Sequence, residues 1–488
     1  MNDSPVDVVV VGGGNAGFSA AHAAAQRGRR VVLLEKGDRD HAGGNSYFTA
    51  GATRISHDGL ADLLDIVEPD ERHERTELPP YPATEYAADL ERVTEGNNDP
   101  GLTRVLVEES ADTVRWLRKL GVRYRLMYER QAYPRADGGF LFWGGLHVGN
   151  VDGGVGLITD HTRIADELGT EIRYGHAVSD LIVENGRVTG VTGTHHGQPF
   201  TIRAESVVLA AGGFESSATW RAEHLGEGWE RAVVRGTPHN TGDLLAAALT
   251  IGAARGGDWS TAHSIQWDAW FPDNQSNREL TNRLSRQSYP LGIIVNTDGH
   301  RFLDEGADFR NYTYAKYGKR ILEQPGGIAF QIFDSRLRPM LRTEEYDMPG
   351  IAEVRADTLP ELAERLGVDV DAFVDTVTTF NAAIDDTAPF DPTVKDGRRA
   401  DVTPPKSNWS APIDTAPYYG YPVTCGITFT FGGLKADTDA RVLDHDGQPI
   451  PGLYVCGEML GGLFSQNYPG GTGLAAGMVF GRRAGTQA

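Results

Sequence analysis

Cysteine is nearly absent from this 488-residue chain: there are two, Cys425 and Cys456, each inside an apolar, glycine-rich segment. So few cannot form a disulfide framework or a cysteine-ligated zinc site, and a reducing compartment is the simpler expectation. Long hydrophobic runs are missing as well. The opening stretch MNDSPVDVVVVGGG lacks a basic segment and reaches glycine after a few apolar residues, which predicts neither a signal peptide nor a spanning helix. The expected location is cytoplasmic, with no integral membrane segment. Basic residues are in deficit, 46 Lys and Arg against 67 Asp and Glu, for a formal net charge of −21. That balance argues against nucleic acid and anionic membrane as partners, and it repels polyanions from any site without a positive pocket of its own. No internal repeat or low-complexity tract occurs. What is present is a long chain, 40% hydrophobic and 23% charged, with enough apolar residues for two packed lobes.

The first forty residues carry the sharpest signal. VDVVVVGGGNAGFSAAHAAAQRGRRVVLLEK predicts a buried strand from Val8 to Val11, a glycine turn, an alanine-rich helix, and a second strand from Arg30 to Leu34 that ends at Glu35. This is a βαβ unit with a dinucleotide fingerprint. Gly12 permits the tight turn, Gly14 lets the backbone approach a pyrophosphate, and Gly17 lets helix and sheet pack closely; the helix N-terminus at Asn15 and Ala16 favours negative charge. Glu35, followed by Lys36, lies where a ribose hydroxyl needs an acceptor. A glycine turn without a ligand is the plain alternative, and the full order of strand, helix, strand and acid weighs against it.

The fingerprint alone leaves NAD and FAD open. HAGGNSYFTAGATR supplies Gly43, Gly44, Asn45 and Ser46 soon after the acid, with small residues at Thr49, Ala50 and Gly51; such a loop can wrap a cofactor that reaches further along the protein than nicotinamide does. Two later segments, SVVLAAGGFE (206–215) and GLYVCGEMLGG (452–462), read as buried strands ending in Ala211, Gly212 and Gly213 and in Gly457 and Glu458. Both look like strand ends arriving at a bound nucleotide.

Taken in this order, and with the N-T-G-D of 240–243 that ends at Asp243, these segments resemble the fumarate reductase and succinate dehydrogenase flavoprotein superfamily over nearly the whole chain. Within it, RFLDEGADFRNYTYAKYG (301–318) and NYPGGTGLAAG look most like the FAD-dependent tricarballylate dehydrogenase branch. The resemblance implies FAD, bound non-covalently because the GGNS loop has no histidine where succinate dehydrogenases attach theirs. It also implies an α/β fold, a Rossmann-like FAD-binding domain interrupted by an inserted α+β capping domain, with expected boundaries at 1–255, 256–420 and 421–488. Alternation around Asn185-Gly186 and His196-Gly197 predicts a β-meander within 170–210, and helical patterns occupy 100–121 and 357–385. In the related families the stretch matching Gly470, Gly471, Thr472, Gly473 and Leu474 caps the isoalloxazine ring, with helix amides on its electron-rich pyrimidine edge. Glu458 then falls on ribityl or ribose hydroxyls, and Val178 is set among the cofactor contacts.

Segment 283–320 reverses the charge balance, with seven Arg or Lys against four acids. Guanidinium groups match carboxylates through paired hydrogen bonds, so Arg286, Arg301 and Arg310 are candidates to hold a polycarboxylate. A solvated face with internal pairing is the alternative, and it suits Lys316, Lys319 and Arg320. By resemblance, Arg310 matches the arginine that follows the RF-x-(D/N)-E element, here Arg301 to Glu305, and is the expected proton-transfer residue. His263 sits where these families carry a substrate-binding histidine. Thr428 stands where fumarate reductases have histidine and Tyr468 where they have arginine, which turns the expectation from fumarate toward another di- or tricarboxylate. Tyr468 is shared in character with 3-ketosteroid dehydrogenases, and WDAWF (267–271) can line an apolar cleft, so a neutral enone substrate stays open. Tyrosine, with a pKa near 10, is also easier to deprotonate than arginine at about 12 or more, which makes Tyr468 the second candidate for proton transfer. The expected reaction is dehydrogenation of a carboxylate-bearing carbon pair, with a proton passing to a side chain and a hydride to flavin N5; ene reduction is the alternative direction. Nothing reads as an iron–sulfur or haem module, so an external electron acceptor is required.

Overall fold

Five valines and one aspartate make up Val6–Val11 (β1), and β-branched side chains favour a pleated strand covered on both faces. In the computed structural model, which describes residues 6–135, 137–142 and 144–488, β1 lies in the middle of a parallel sheet. On one side it pairs with Val31–Leu34 (β2), bordered in turn by Glu171–Arg173 (β3). On the other runs the far end of a longer strand that closes a meander. His176–Glu184 (β4), Arg187–His195 (β5) and Gln198–Leu209 (β6) run antiparallel, after which β6 continues beside β1 and receives Pro449–Val455 on its outer edge. Both meander turns have positive φ at their two central residues, Asn185 and Gly186, then His196 and Gly197, the geometry two-residue hairpins prefer.

Helix α1 (Asn15–Gln26) follows β1, helix α2 (Gly153–Glu167) precedes β3, and α3 (Thr472–Gln487) lies near the end of the chain. The contact between α1 and α3 is backbone against backbone. Glycine recurs every fourth residue on α3, at 477, 481 and 485. A Cβ at Gly481 would stand 2.4 Å from Ala16 O, and one at Gly485 only 2.0 Å from Ala20 O. Asn15 Nδ2 donates to Leu474 O at 2.9 Å, so the first turns of the two helices are tied side by side. A buried relay backs this link. Asn15 Oδ1 accepts from His161 Nε2 at 3.1 Å, which leaves His161 Nδ1 to accept from His22 Nε2 at 3.0 Å. Burial depresses both imidazole pKa values, so neutral rings suit the relay.

The structure divides into two units. The first runs to Gly226 and includes Gly236–Ala262 and Phe429–Ala488; the second comprises Glu227–Arg235 and His263–Thr428. Residues 227–235 thus join the second unit, apart in sequence from its main stretch. Strand pairing explains this. Val233–Val234 (β7) pairs in parallel with Gly426–Ile427, within the long strand Tyr418–Thr430 (β11), which also receives Ala262–Asp268 (β8). Ile293–Asn296 (β9) and Ile328–Phe333 (β10) extend the same sheet antiparallel. Leu362, Leu366, Phe373, Val377 and Phe380 pack there with Ile293, Val295 and Ile332. The predicted helical stretch 357–385 is two helices, Leu359–Leu366 and Val370–Ala382, capped by Thr358 and Asp369. They are separated because Gly367 adopts φ +71°. No helix among the described residues is long and apolar enough to cross a membrane.

The α1–α3 contact has a direct test. Gly485→Ala is expected to cost about 1–3 kcal/mol, the usual penalty of overpacking, because its methyl group meets backbone instead of a movable side chain. A urea unfolding midpoint unchanged from the parent would show that the two helices have slack.

Candidate active site

The turn after β1 is shaped by glycine. Gly12 has φ +111°, and a Cβ there would lie 2.2 Å from Ala210 O; a Cβ at Gly17 would lie 1.9 Å from Gly12 O. Glu35, at the end of β2, is buried and accepts from Gly13 N–H at 2.8 Å and Gly37 N–H at 2.7 Å. Backbone donors therefore hold a carboxylate in place beside a recess lined by Gly13, Phe18, Leu33, Ala42, Gly43 and Tyr174, as an adenosine site needs. The GGNS stretch, expected as a loop, includes a short helix, Gly44–Phe48. It is docked on the start of α1 through Asn15 N–H to Ser46 Oγ, 3.0 Å. Gly51, with φ +83°, comes against Gly153 and Asn150, which leaves Ala50–Gly51 close to the start of α2. Lys36 and Asp243 meet each other at 2.7 Å, with Thr241 Oγ1 also accepting from Lys36. Val178 is buried in β4.

Where β6 and the strand Pro449–Val455 end, a polar knot forms that sequence reading did not assign. Glu458 accepts from Thr430 N–H at 2.7 Å and Thr430 Oγ1 at 3.1 Å; Glu215 accepts from Asn240 Nδ2 at 2.6 Å and Asn45 Nδ2 at 2.7 Å. A Cβ at Gly212 would collide with Asn240 and one at Gly213 with Glu458, so Ala211-Gly212-Gly213 is small because this knot lies against it. Burial, then the neighbouring Glu215 charge, pushes the Glu458 carboxyl well above the usual range, and burial raises Glu215 too. Two carboxyls this close settle by keeping a proton between them. Both residues were within quoted segments, but only three-dimensional proximity identifies them as a pair.

Further along, Gly471 (φ +82°) caps α3. A Cβ built on Gly473 meets nothing nearer than 3.7 Å. Tyr468 is buried edge-on to Phe429 and Phe464, with ring centroids at 5.3 and 5.4 Å. Two adjoining helix N-termini, a glycine cradle and a buried acid beside a recess suit a long, anionic dinucleotide.

In the second unit, His263 on β8 is buried edge-on to Tyr314 at 5.1 Å. Burial first, and Arg235 second, hold it well below its usual pKa, so it is a neutral imidazole. Arg235 itself was missed by the sequence reading; its Nη1 donates to Thr428 Oγ1 at 2.8 Å, its Nη2 bonds Asn282, and the guanidinium stands 5.8 Å from the Trp267 ring centroid. Thr428 is thus a support for an arginine. Arg310 opens a short helical turn and donates to Gln287 Oε1 at 2.6 Å, an oxygen also approached by Arg342 at 3.4 Å.

Two arginines expected at the substrate are occupied differently. Arg286 is fully buried, 2.6 Å from the equally buried Asp268, and also donates to Ser285 O. Arg301 is buried against Glu305 and Pro404 O. Each forms a buried pair that would leave an uncompensated charge if opened. Arg286, Arg301 and Glu305 thus each have a buried, oppositely charged partner within the second unit.

These features define a flavin-type dinucleotide oxidoreductase. The chain belongs to the FAD binding domain family, whose model matches residues 7–474, and it binds FAD. It is 29% identical to the fumarate reductase (cytochrome) of Shewanella frigidimarina over 99% of this chain and 77% of that protein. Identity is also 29% to the urocanate reductase of Eggerthella lenta, over 99% of this chain and 74% of that one. The open conformation of a flavocytochrome c3 fumarate reductase matches with a TM-score of 0.72 at 28% identity, over 99% of this chain and 78% of that chain. The protein is an FAD-dependent enzyme acting on carbon–carbon single or double bonds of the CH–CH type.

The carboxyl knot predicts an unusual pH response in the apoprotein. A raised folded pKa means the folded chain keeps a proton that the unfolded chain releases above about 4.5, so this contribution is complete below that pH and is lost as pH rises toward the folded value. Glu458→Gln is expected to flatten this decline and to make the apoprotein more stable at neutral pH than the parent. Urea unfolding at a series of pH values reads it; parallel curves for the two proteins would show that Glu458 is ionised in the fold.

Proposed function

We propose that this enzyme dehydrogenates a small di- or tricarboxylate of the tricarballylate type, with Arg310 moving the proton and FAD bound non-covalently. The observation that supports the reading is the setting of Arg235 and Arg310 in an acidic chain. Amide and hydroxyl oxygens of Asn282, Thr428 and Gln287 help orient their guanidinium groups. A carboxylate bound by such groups gains paired, charge-assisted bonds. FAD, when bound, supplies the hydride acceptor at N5.

The chain's own residues do the rest. Arg235 and Arg310 hold carboxylates and fix the carbon pair, neutral His263 offers an uncharged hydrogen-bonding group, and Arg310 exchanges the proton on the neighbouring carbon. Tyr468, edge-on to two phenylalanines, is positioned to exclude water beside the glycines of α3. The relatives named as fumarate and urocanate reductases run toward the saturated product, and the same residues serve either direction by microscopic reversibility.

Anaerobic mixing with tricarballylate is expected to bleach the oxidised flavin band. If dithionite bleaches the band and tricarballylate does not, the substrate class is wrong, and unsaturated carboxylates and enones become the compounds to try with the reduced enzyme. In Arg310→Ala, flavin content should stay at the parent level while the rate of flavin reduction drops about 10²–10⁴-fold, the range for loss of a proton-transfer group. A full rate in that variant, with loss in Tyr468→Phe, would exchange the two roles. Acid precipitation should release all the FAD into solution, and flavin retained in the pellet would mean a covalent link.

A further inference from the structure

Behind the turn that opens α3 lies an arginine with no part in the chemistry above. The Arg54 side chain is completely buried, an expensive place for a cation unless its surroundings are arranged for it. Its backbone N–H donates to Gly471 O at 3.1 Å, and its Nε donates to Gly470 O at 2.8 Å. Nη1 donates to the Tyr81 hydroxyl at 2.9 Å, which in turn donates to Asp89 Oδ2 at 2.7 Å; that carboxylate oxygen is 3.6 Å from Nη1. The rings of Tyr81 and Tyr86 stand 5.4 and 6.0 Å from the guanidinium carbon.

One residue therefore holds two consecutive carbonyls. In a planar trans peptide the C=O and N–H point in opposite directions, so drawing the Gly470 carbonyl toward Arg54 turns the Gly471 N–H away from it. The next amide, Thr472 N–H, is already bonded to Pro469 O at 3.2 Å. Gly471 admits no side chain: its φ is +82°, and a Cβ would stand 2.2 Å from Leu146 Cδ1.

We propose that Arg54 is a positioning residue of the FAD site. It fixes the Gly470–Gly471 peptide so that the Gly471 N–H faces the electron-rich pyrimidine edge of bound FAD, where negative charge gathers when the cofactor takes up a hydride. A donor aimed in advance needs no reorganisation as that charge appears, which is when it stabilises most. Asp89 balances the guanidinium and Tyr81 carries the link, so the device acts through orientation. The inference rests on FAD binding, not on the identity of the substrate.

The test is the midpoint potential of the purified holoenzyme, measured by spectroelectrochemical titration together with FAD content. Arg54→Met is expected to keep FAD but shift the balance between oxidised and reduced cofactor about tenfold against reduction, about 30 mV for a two-electron couple. Arg54→Lys should show a similar loss, since an ammonium lacks the fork that serves Gly470 O and Tyr81 together. Asp89→Asn should shift the potential the same way by less. An unchanged potential with FAD in place overturns the proposal. So does a parent-like potential in Arg54→Lys with a raised one in Asp89→Asn, the pattern of a charge acting through space. If Arg54→Met does not fold, Tyr81→Phe carries the same expectation at smaller size, and a parent-like potential there overturns the proposal equally.

Discussion

Direct contact between the backbones of α1 and α3 is the constraint on which the cofactor half of this molecule depends. An α-helix repeats every 3.6 residues, so glycine at every fourth position of α3 keeps one narrow face open along its length, and Ala16 and Ala20 of α1 fill it. The result is two helix N-termini held side by side, each with amides available to negative charge. The Asn15 link to Leu474 O sets their stagger. The strand ends at Gly213 and Gly457 lie against the same elements, because β6 joins β1 on one side and Pro449–Val455 on the other.

Buried charge is resolved in several distinct ways. Glu35 is met by two backbone amides that point at it. Burial raises the proton affinity of both Glu215 and Glu458, and the Glu215 charge raises that of Glu458 further. Arg286 and Arg301 are matched to buried carboxylates, whereas Arg235 and Arg310 are set by hydroxyl and amide oxygens.

That distinction explains what could be read in the chain beforehand. The βαβ unit was legible because period, glycine spacing and terminal acid are all local, and the meander because two-residue turns carry their own signature. Arg286, Arg301 and Arg310 looked equivalent in a basic stretch; only the fold places Asp268 beside the first and Glu305 against the second. Arg235 was overlooked because it lies far in sequence from that stretch and reaches Thr428 only through the pairing of Val233–Val234 with Gly426–Ile427. The unit boundaries have a similar origin: long-range strand pairing sets them, and it leaves no mark in local composition. Arg54 sits in a segment read for its small residues, and its burial has no signature in one dimension.

The route of the chain through the first unit also bears on the order of events during synthesis. The turn at Gly12–Gly17 emerges from the ribosome early, yet the strand that borders β6 and the helix that lies on α1 arrive more than four hundred residues later. Until then the apolar face of α1 has no glycine stripe to meet and the adjoining helix N-terminus does not exist. Contacts so distant along the chain are slow to form, and the early strands stay exposed to misassembly while they wait. The two helix N-termini of the cofactor site can therefore come together only after α3 has been made.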